Sequence, residues 1–220
     1  SSSGYMMRDG TLEDIMIGQG KTFYTCNTFV WMDNKLIQLD IPEDSSAKGI
    51  LNNQLILQLK SDWTVNGKTY TNGTLISLNF TELLKGKKDI QTIVIPDEFS
   101  SINEVTTTKS KLLISMVTNV TSQMSIYSFV KGKWSSQKVK VPAFGTASFV
   151  TTDDLSEQYY FNFQNFVTPS TLYAADAGTN TFKKYQSLPA FFDASKYEVK
   201  QFKAKSKDGT MVPYFMVYPK

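Results

Sequence analysis

Histidine is absent from all 220 residues, which removes from this chain the imidazole base on which most nucleophilic hydrolase schemes rely. Cysteine occurs once, as Cys26, so no intrachain disulfide can form and the fold must stand on packing. Its setting, Phe23-Tyr24-Thr25-Cys26, reads as a buried apolar thiol rather than a nucleophile. With no histidine, one cysteine and no calcium-loop spacing, neither a metal nor another cofactor is expected. Long apolar runs are missing too, and nothing resembles a secretory leader, so a soluble chain is expected, cytoplasmic or periplasmic, with no membrane partner. An excess of one charge is also lacking, because 23 basic residues face 20 acidic ones for a net of +3. The densest basic run, Lys85-Gly86-Lys87-Lys88, has no aromatic platform beside it and reads as a solvated turn, which argues against a nucleic-acid partner.

Helical periodicity is nearly absent, and strand signals dominate. Hydrophobic residues make up 41% of the chain, enough for a substantial core. Four short runs closed by proline recur, Leu39-Asp40-Ile41-Pro42, Ile93-Val94-Ile95-Pro96, Val139-Lys140-Val141-Pro142 and Gln186-Ser187-Leu188-Pro189, with the prolines 54, 46 and 47 residues apart. That is the length of one four-stranded propeller blade, and proline suits an outermost strand, where a missing N–H breaks no ladder. A β-sandwich also supplies short strands at regular spacing; the proline-marked period favours the propeller. The second repeat places strands near 54–60, 74–80 and 91–95, with Asn66-Gly67 and Asn72-Gly73 in a long turn. The third places them near 104–108, 112–119, 123–130 and 136–141, and the fourth near 146–151, 158–163, 171–176 and 182–186. Before Pro42 only a partial unit is legible, near 22–31 and 35–40. The fold class expected is all-β, a partial propeller of about three to four four-stranded blades. Residues 1–21 read as a lead-in, disordered or introduced by cloning, 22–190 as blades, and 191–220 as a linker and a β-hairpin, near 198–205 and 211–218 around Ser206-Lys207-Asp208-Gly209.

Motifs with chemical meaning are weak. No Gly-x-Ser-x-Gly elbow exists, and the Ser-x-x-Lys matches at Ser45/Lys48 and Ser135/Lys138 open no helix. Gly18-Gln19-Gly20-Lys21-Thr22 resembles the tail of a phosphate-binding loop, but Ile15 stands where its first glycine is required, and a lead-in to a strand is the better reading. Acidic pairs at Glu43-Asp44, Asp97-Glu98 and Asp153-Asp154 read as solvated loop tips. The sequons at Asn72, Asn79 and Asn119 read as coincidence in an Asn- and Thr-rich chain. Trp31, Trp63 and Trp134 are expected to pack between blades. No catalytic, cofactor-binding or metal-binding residue is assigned.

Phe166-Val167-Thr168-Pro169-Ser170-Thr171-Leu172-Tyr173, then Phe192-Asp193, then Ser206-Lys207-Asp208-Gly209-Thr210-Met211-Val212-Pro213 resembles the junction between propeller and peptidase domain in bacterial members of the prolyl oligopeptidase family of serine peptidases. Leu39-Asp40-Ile41-Pro42, Ser61-Asp62-Trp63 and residues 73–78 are similar to later blades of that family. The resemblance implies a parent enzyme in which a propeller of about seven blades caps an α/β-hydrolase domain, shields a Ser-Asp-His site and admits short peptides cleaved after proline. The hairpin is then the start of the hydrolase domain. The resemblance further implies a chain that gates access and lacks the triad, is inactive alone, and has as partners peptide substrate, the rest of the propeller and the peptidase domain. Self-association through exposed blade edges is also expected. The alternative from another class is a stand-alone propeller-like module that binds a partner protein without catalysis.

Overall fold

The computed structural model describes residues 3–5, 14–19 and 26–220, with side chains from Thr28 onward. The chain forms two compact units, Ser1–Pro96 and Asp97–Lys220. In the first, β1 (Ser3–Tyr5), β2 (Asp14–Gln19), β3 (Cys26–Met32) and β4 (Lys35–Gln38) make an antiparallel meander in chain order. The second meander comprises β5 (Ser46–Leu51), β6 (Gln54–Gln58), β9 (Leu75–Asn79) and β10 (Ile90–Val94). A small hairpin, β7 (Trp63–Val65) and β8 (Lys68–Tyr70), is inserted after β6, and helix α1 (Phe80–Leu84) precedes β10. The second unit holds a meander of β11 (Ser100–Thr107), β12 (Lys111–Thr118), β13 (Thr121–Val130) and β14 (Lys133–Lys138), and another of β15 (Gly145–Thr152), β16 (Gln158–Asn165), β17 (Thr171–Asp176) and β18 (Thr181–Ser187). A two-stranded ribbon follows, β19 (Tyr197–Lys205) with β20 (Met211–Pro219). Among the described residues the fold is thus a partial β-propeller of four four-stranded sheets plus a hairpin.

Sequence dictates the turns. Asp33-Asn34, Asn52-Asn53, Asn66-Gly67, Asn119-Val120 and Lys131-Gly132 each place two residues at positive φ, the two-residue turn whose twist matches that of the strands it joins. A bulge recurs where the first strand of a sheet meets the second, between Ala47 and Gly49, Ile102 and Glu104, and Phe149 and Thr151, adding local twist at the same place in three sheets.

Two of the four proline runs, Ile93–Pro96 and Gln186–Pro189, close the edge strands β10 and β18, whose last residues are Val94 and Ser187; the other two are exits that follow a strand. Leu39 N–H donates to Thr28 O and Val139 N–H to Met124 O, and in both runs the residue two further on closes a three-residue turn, Ile41 to Leu39 and Val141 to Val139. Leu39 and Val139 are thereby buried in their cores, and proline follows once the chain has left the ladder.

Each unit has its own core. In the first, Val30 and Leu39 pack with Leu55, Leu57, Ile76 and Leu78. In the second, Leu113, Met124, Ile126 and Val139 pack with Ala147, Tyr159, Phe161 and Phe163. All five residues of β6 are buried, and in β12 Leu112 and Ile114 are as buried as Leu113, so these strands are covered on both faces and read as continuous apolar runs. The buried Ser77 hydroxyl donates to Gln54 Oε1 at 2.9 Å, satisfying both groups. The last sheet alternates instead, with Tyr159, Phe161 and Phe163 buried and Gln158, Tyr160, Asn162 and Gln164 on the opposite face.

Several expectations change. The partial unit before Pro42 is a full sheet, because β1 and β2 lie within residues 1–21; a three-residue strand such as Ser3–Tyr5 has too few positions to display a period. β5 was hidden by Gly49 at its bulge, and the turn containing Asn66-Gly67 is a hairpin. The lysine run ends α1, where Lys85 and Lys87 pair with Glu82 and Lys88 pairs with Asp40. Trp31 is 37% exposed and Trp134 leans on Phe129 of its own hairpin, so only Trp63 packs against a core shared by two sheets.

Candidate functional site

The ribbon is the feature most unlike a blade, and it organises the candidate site. Its strands pair in unbroken register from Tyr197↔Pro219 to Lys205↔Met211, so Val199, Gln201, Lys203, Pro213, Phe215 and Val217 share one face. That face meets loops of the second unit. Phe215 sits between Phe166, ring centroids 5.2 Å apart, and Phe144, 6.0 Å away and edge-on; such pairs add to the area they bury. Gln201 Nε2 donates to Asn119 O at 2.9 Å, and Lys203 Nζ lies 6.0 Å from the centre of the Phe99 ring. Four loops thus meet one strand pair. They are held ready locally. Asn165 Nδ2 donates to Ala143 O and its Oδ1 accepts from Val167 N, fixing the two segments that carry Phe144 and Phe166.

The other face of the ribbon points outward. Phe202 stacks on Tyr214 at 5.6 Å, flanked by Val212 and Met216, all four exposed. A contiguous apolar face of this kind on a two-stranded sheet is the half of a layer that expects a second one. At its far end Glu198 lies 3.5 Å from Lys200, whose ammonium also stands over Tyr218. The Tyr218 hydroxyl, and secondarily Lys200, hold the Glu198 carboxyl below its ordinary value.

A polar clasp joins the two sheets of the second unit. Glu157 accepts from Thr108 Oγ1 at 2.5 Å and from Ser110 Oγ at 2.6 Å, and Lys109 N–H donates to Ser156 O. Farther along, Glu104 Oε2 accepts from Phe149 N at 2.8 Å. An open cleft of about 450 Å³ lies along Gln158–Tyr160, Ala174–Asp176 and Thr181–Lys183, but Asp176 is already occupied by Thr179.

The motifs weighed in sequence stay apart. Ser45 and Ser135 bond to backbone carbonyls, and neither opens a helix. The acidic pairs 43–44, 97–98 and 153–154 lie in loops; Asp153 is held below its usual range by Ser156 and by the Leu155 N–H. Asn79 is the cap of α1, accepting from Glu82 N at 3.1 Å. Of the glycine-lysine motif, residues 20–22 lie outside the described residues, as does the side chain of Cys26. Among the described residues no group of three metal-ligating side chains converges, and no helix is long and apolar enough to cross a membrane. What is built here is a face on which the ribbon docks, missed in sequence because Phe99, Asn119, Phe144 and Phe166 lie in four separate loops and carry no common period.

Comparison with known proteins agrees with this geometry. The family described as Prolyl oligopeptidase, N-terminal beta-propeller domain, matches residues 49–187. An uncharacterized peptidase of Sinorhizobium fredii is 39% identical over 188 residues, 84% of this chain and 26% of that protein. An uncharacterized peptidase of Rickettsia prowazekii is 26% identical over 215 residues, 94% of this chain and 30% of that protein. The solved structure of a post-proline cleaving enzyme from Rickettsia typhi superposes on all of this chain and 33% of its own, with a TM-score of 0.80 and 24% identity. The chain therefore spans between a quarter and a third of the length of these relatives.

Proposed function

Because the chain belongs to the prolyl oligopeptidase family, carrying sheets of its N-terminal β-propeller domain, we propose that it is the cover of a serine-type peptidase that cleaves short peptides after proline. In this reading the blades contribute no reacting group. They exclude bulky chains from a site on the hydrolase domain, and the ribbon is the first element of that domain. The observation that carries the reading is the ribbon itself, seated by Phe215 between Phe144 and Phe166 while it presents Phe202, Val212, Tyr214 and Met216 outward.

The mechanism follows from what the residues offer. With no histidine in the chain, proton transfer from a serine nucleophile falls to groups elsewhere. The sheets supply rigidity and steric exclusion, which raise selectivity by removing long substrates from competition rather than by stabilising a transition state. The purified chain, incubated with a proline-containing chromogenic peptide, is expected to show no turnover. Cleavage that a serine-directed inhibitor abolishes would overturn the assignment of chemistry to the hydrolase domain. Reading the gene past the codon for Lys220 tests the rest: a Gly-x-Ser-x-Gly elbow and a later histidine are expected, and a stop codon there would leave a stand-alone binding module.

A further inference from the structure

Among the described residues, three places set an Asn or Asp side chain beside the amide of a following glycine, Asn66-Gly67, Asn72-Gly73 and Asp208-Gly209. Such pairs can cyclise when the glycine nitrogen attacks the side-chain carbonyl carbon, and the attack needs a free amide. Two of the three amides are engaged. Gly73 N–H donates to Leu59 O at 2.9 Å, and Gly209 N–H to Ser206 O at 3.0 Å, while the Asn72 backbone is itself tied to Asp62. Among the described residues the Gly67 N–H has no hydrogen-bond acceptor. Gly67 stands at the tip of the β7–β8 hairpin with nothing within 4 Å of the place where a side chain would begin, and Asn66 beside it is exposed. Asn66 has one tertiary tie, the bond from its Nδ2 to Lys88 O at 3.1 Å.

We propose that Asn66 is a deamidation site, and that its conversion frees the tip of the β7–β8 hairpin from the segment between α1 and β10, while Trp63, Val65 and Tyr70 keep the base of the hairpin in the core. The Gly67 nitrogen bonds to Asn66 Cγ, the Cγ–Nδ2 bond breaks, and ammonia leaves carrying the former Gly67 amide proton. Water then opens the resulting succinimide at either carbonyl, returning a proton to the glycine nitrogen and leaving aspartate or isoaspartate. Nothing is oxidised or reduced. The new carboxylate accepts only, so it cannot donate to Lys88 O, and two acceptors now face each other where a bond stood. Asn72 is shielded because its glycine amide must first leave the bond to Leu59 O, a local opening that divides the rate.

Trypsin separates the two asparagines, since Lys60, Lys68 and Lys85 bound the peptides 61–68 and 69–85. During incubation of the folded chain in mildly alkaline buffer, peptide 61–68 is expected to gain about 1 Da and to become a substrate for isoaspartyl methyltransferase. The gain should be at least about tenfold faster than in 69–85, a difference that vanishes in concentrated urea, where local opening no longer protects either amide. If peptide 69–85 keeps pace in the folded chain, the proposal is wrong. Aged chain should also exchange the amide hydrogens of residues 68–70 faster than fresh chain, and Asn66→Gln, which keeps the donor and cyclises slowly, should not. Unchanged exchange after full conversion would overturn the loosening of the tip.

Discussion

Single residues in the turns and at the bulges set how much strain the sheets carry. Four of the five two-residue turns use Asn, Asp, Lys or Gly, but the turn from β12 to β13 puts the β-branched Val120 at φ 62, where its Cβ crowds the following carbonyl. Relief of about 1–2 kcal/mol, less about 0.5–1 kcal/mol for the added freedom of an unfolded glycine, leaves Val120→Gly more stable by roughly 1 kcal/mol; an unchanged or lower urea midpoint would contradict this. Gly145 has the opposite sign. A Cβ there would lie 2.3 Å from Phe163 Cζ and 2.6 Å from Gln164 O, so Gly145→Ala should lower stability by about 1–3 kcal/mol in the same titration. Tyr159 makes stability depend on alkali. Burial, with the Asp176 carboxylate adding to it, pushes its hydroxyl up to about 12 from an ordinary 10.0. A group raised in the folded state holds its proton more tightly there, so its contribution is intact below pH 10.0 and is lost as pH rises through about 12. Tyr159→Phe should therefore lose less stability than the wild type across that window, though not none, because burial also raises Tyr127. Parallel loss in both proteins would assign the titration elsewhere.

At the scale of elements, the ribbon depends on one ring. Removing the Phe215 side chain deletes both aromatic contacts to the loops and leaves Gln201 to Asn119 and Lys203 over Phe99 to hold the strand pair. Aromatic pairs contribute about 0.5–1.5 kcal/mol each beyond burial, and an isolated hairpin is marginal in water. Phe215→Ala is accordingly expected to speed proteolysis and hydrogen exchange across residues 197–219 while β11–β18 keep their protection. Loss of protection throughout the unit would mean that the ribbon is part of its core. The ribbon was legible in sequence to within two residues, because β-branched and aromatic residues flank a Lys-Asp-Gly turn whose local chemistry decides the fold of that segment. The strands of the third and fourth sheets were legible for the same reason. What escaped was what local chemistry does not decide. β1 is too short for a period, β5 is interrupted by Gly49, α1 has five residues and is fixed by the Asn79 cap, and the docking face joins Phe99, Asn119, Phe144 and Phe166, which only the meander topology brings under one ribbon.

For the molecule as a whole, the decisive contrast is between sheets covered on both faces and the last sheet, covered on one. β6 and β12 leave no apolar face open, whereas the outward face of β15–β18 carries Tyr160 edge-on against Tyr185, with ring centroids 5.8 Å apart, and Val150 at the bulge; Tyr185 is 64% and Val150 57% exposed. The outward face of the ribbon is a second apolar surface. A net charge of +3 is too small to keep such surfaces apart by repulsion. The chain on its own is therefore expected to self-associate as its concentration rises, read as a growing mass in light scattering. Val150→Lys with Tyr185→Lys should suppress the growth if the sheet flank is the contact, and Phe202→Lys with Met216→Lys if the ribbon is. A wild-type chain that stays monomeric at high concentration would show that neither face is apolar enough to hold a partner, and would remove the physical basis for a flank that stacks against another sheet.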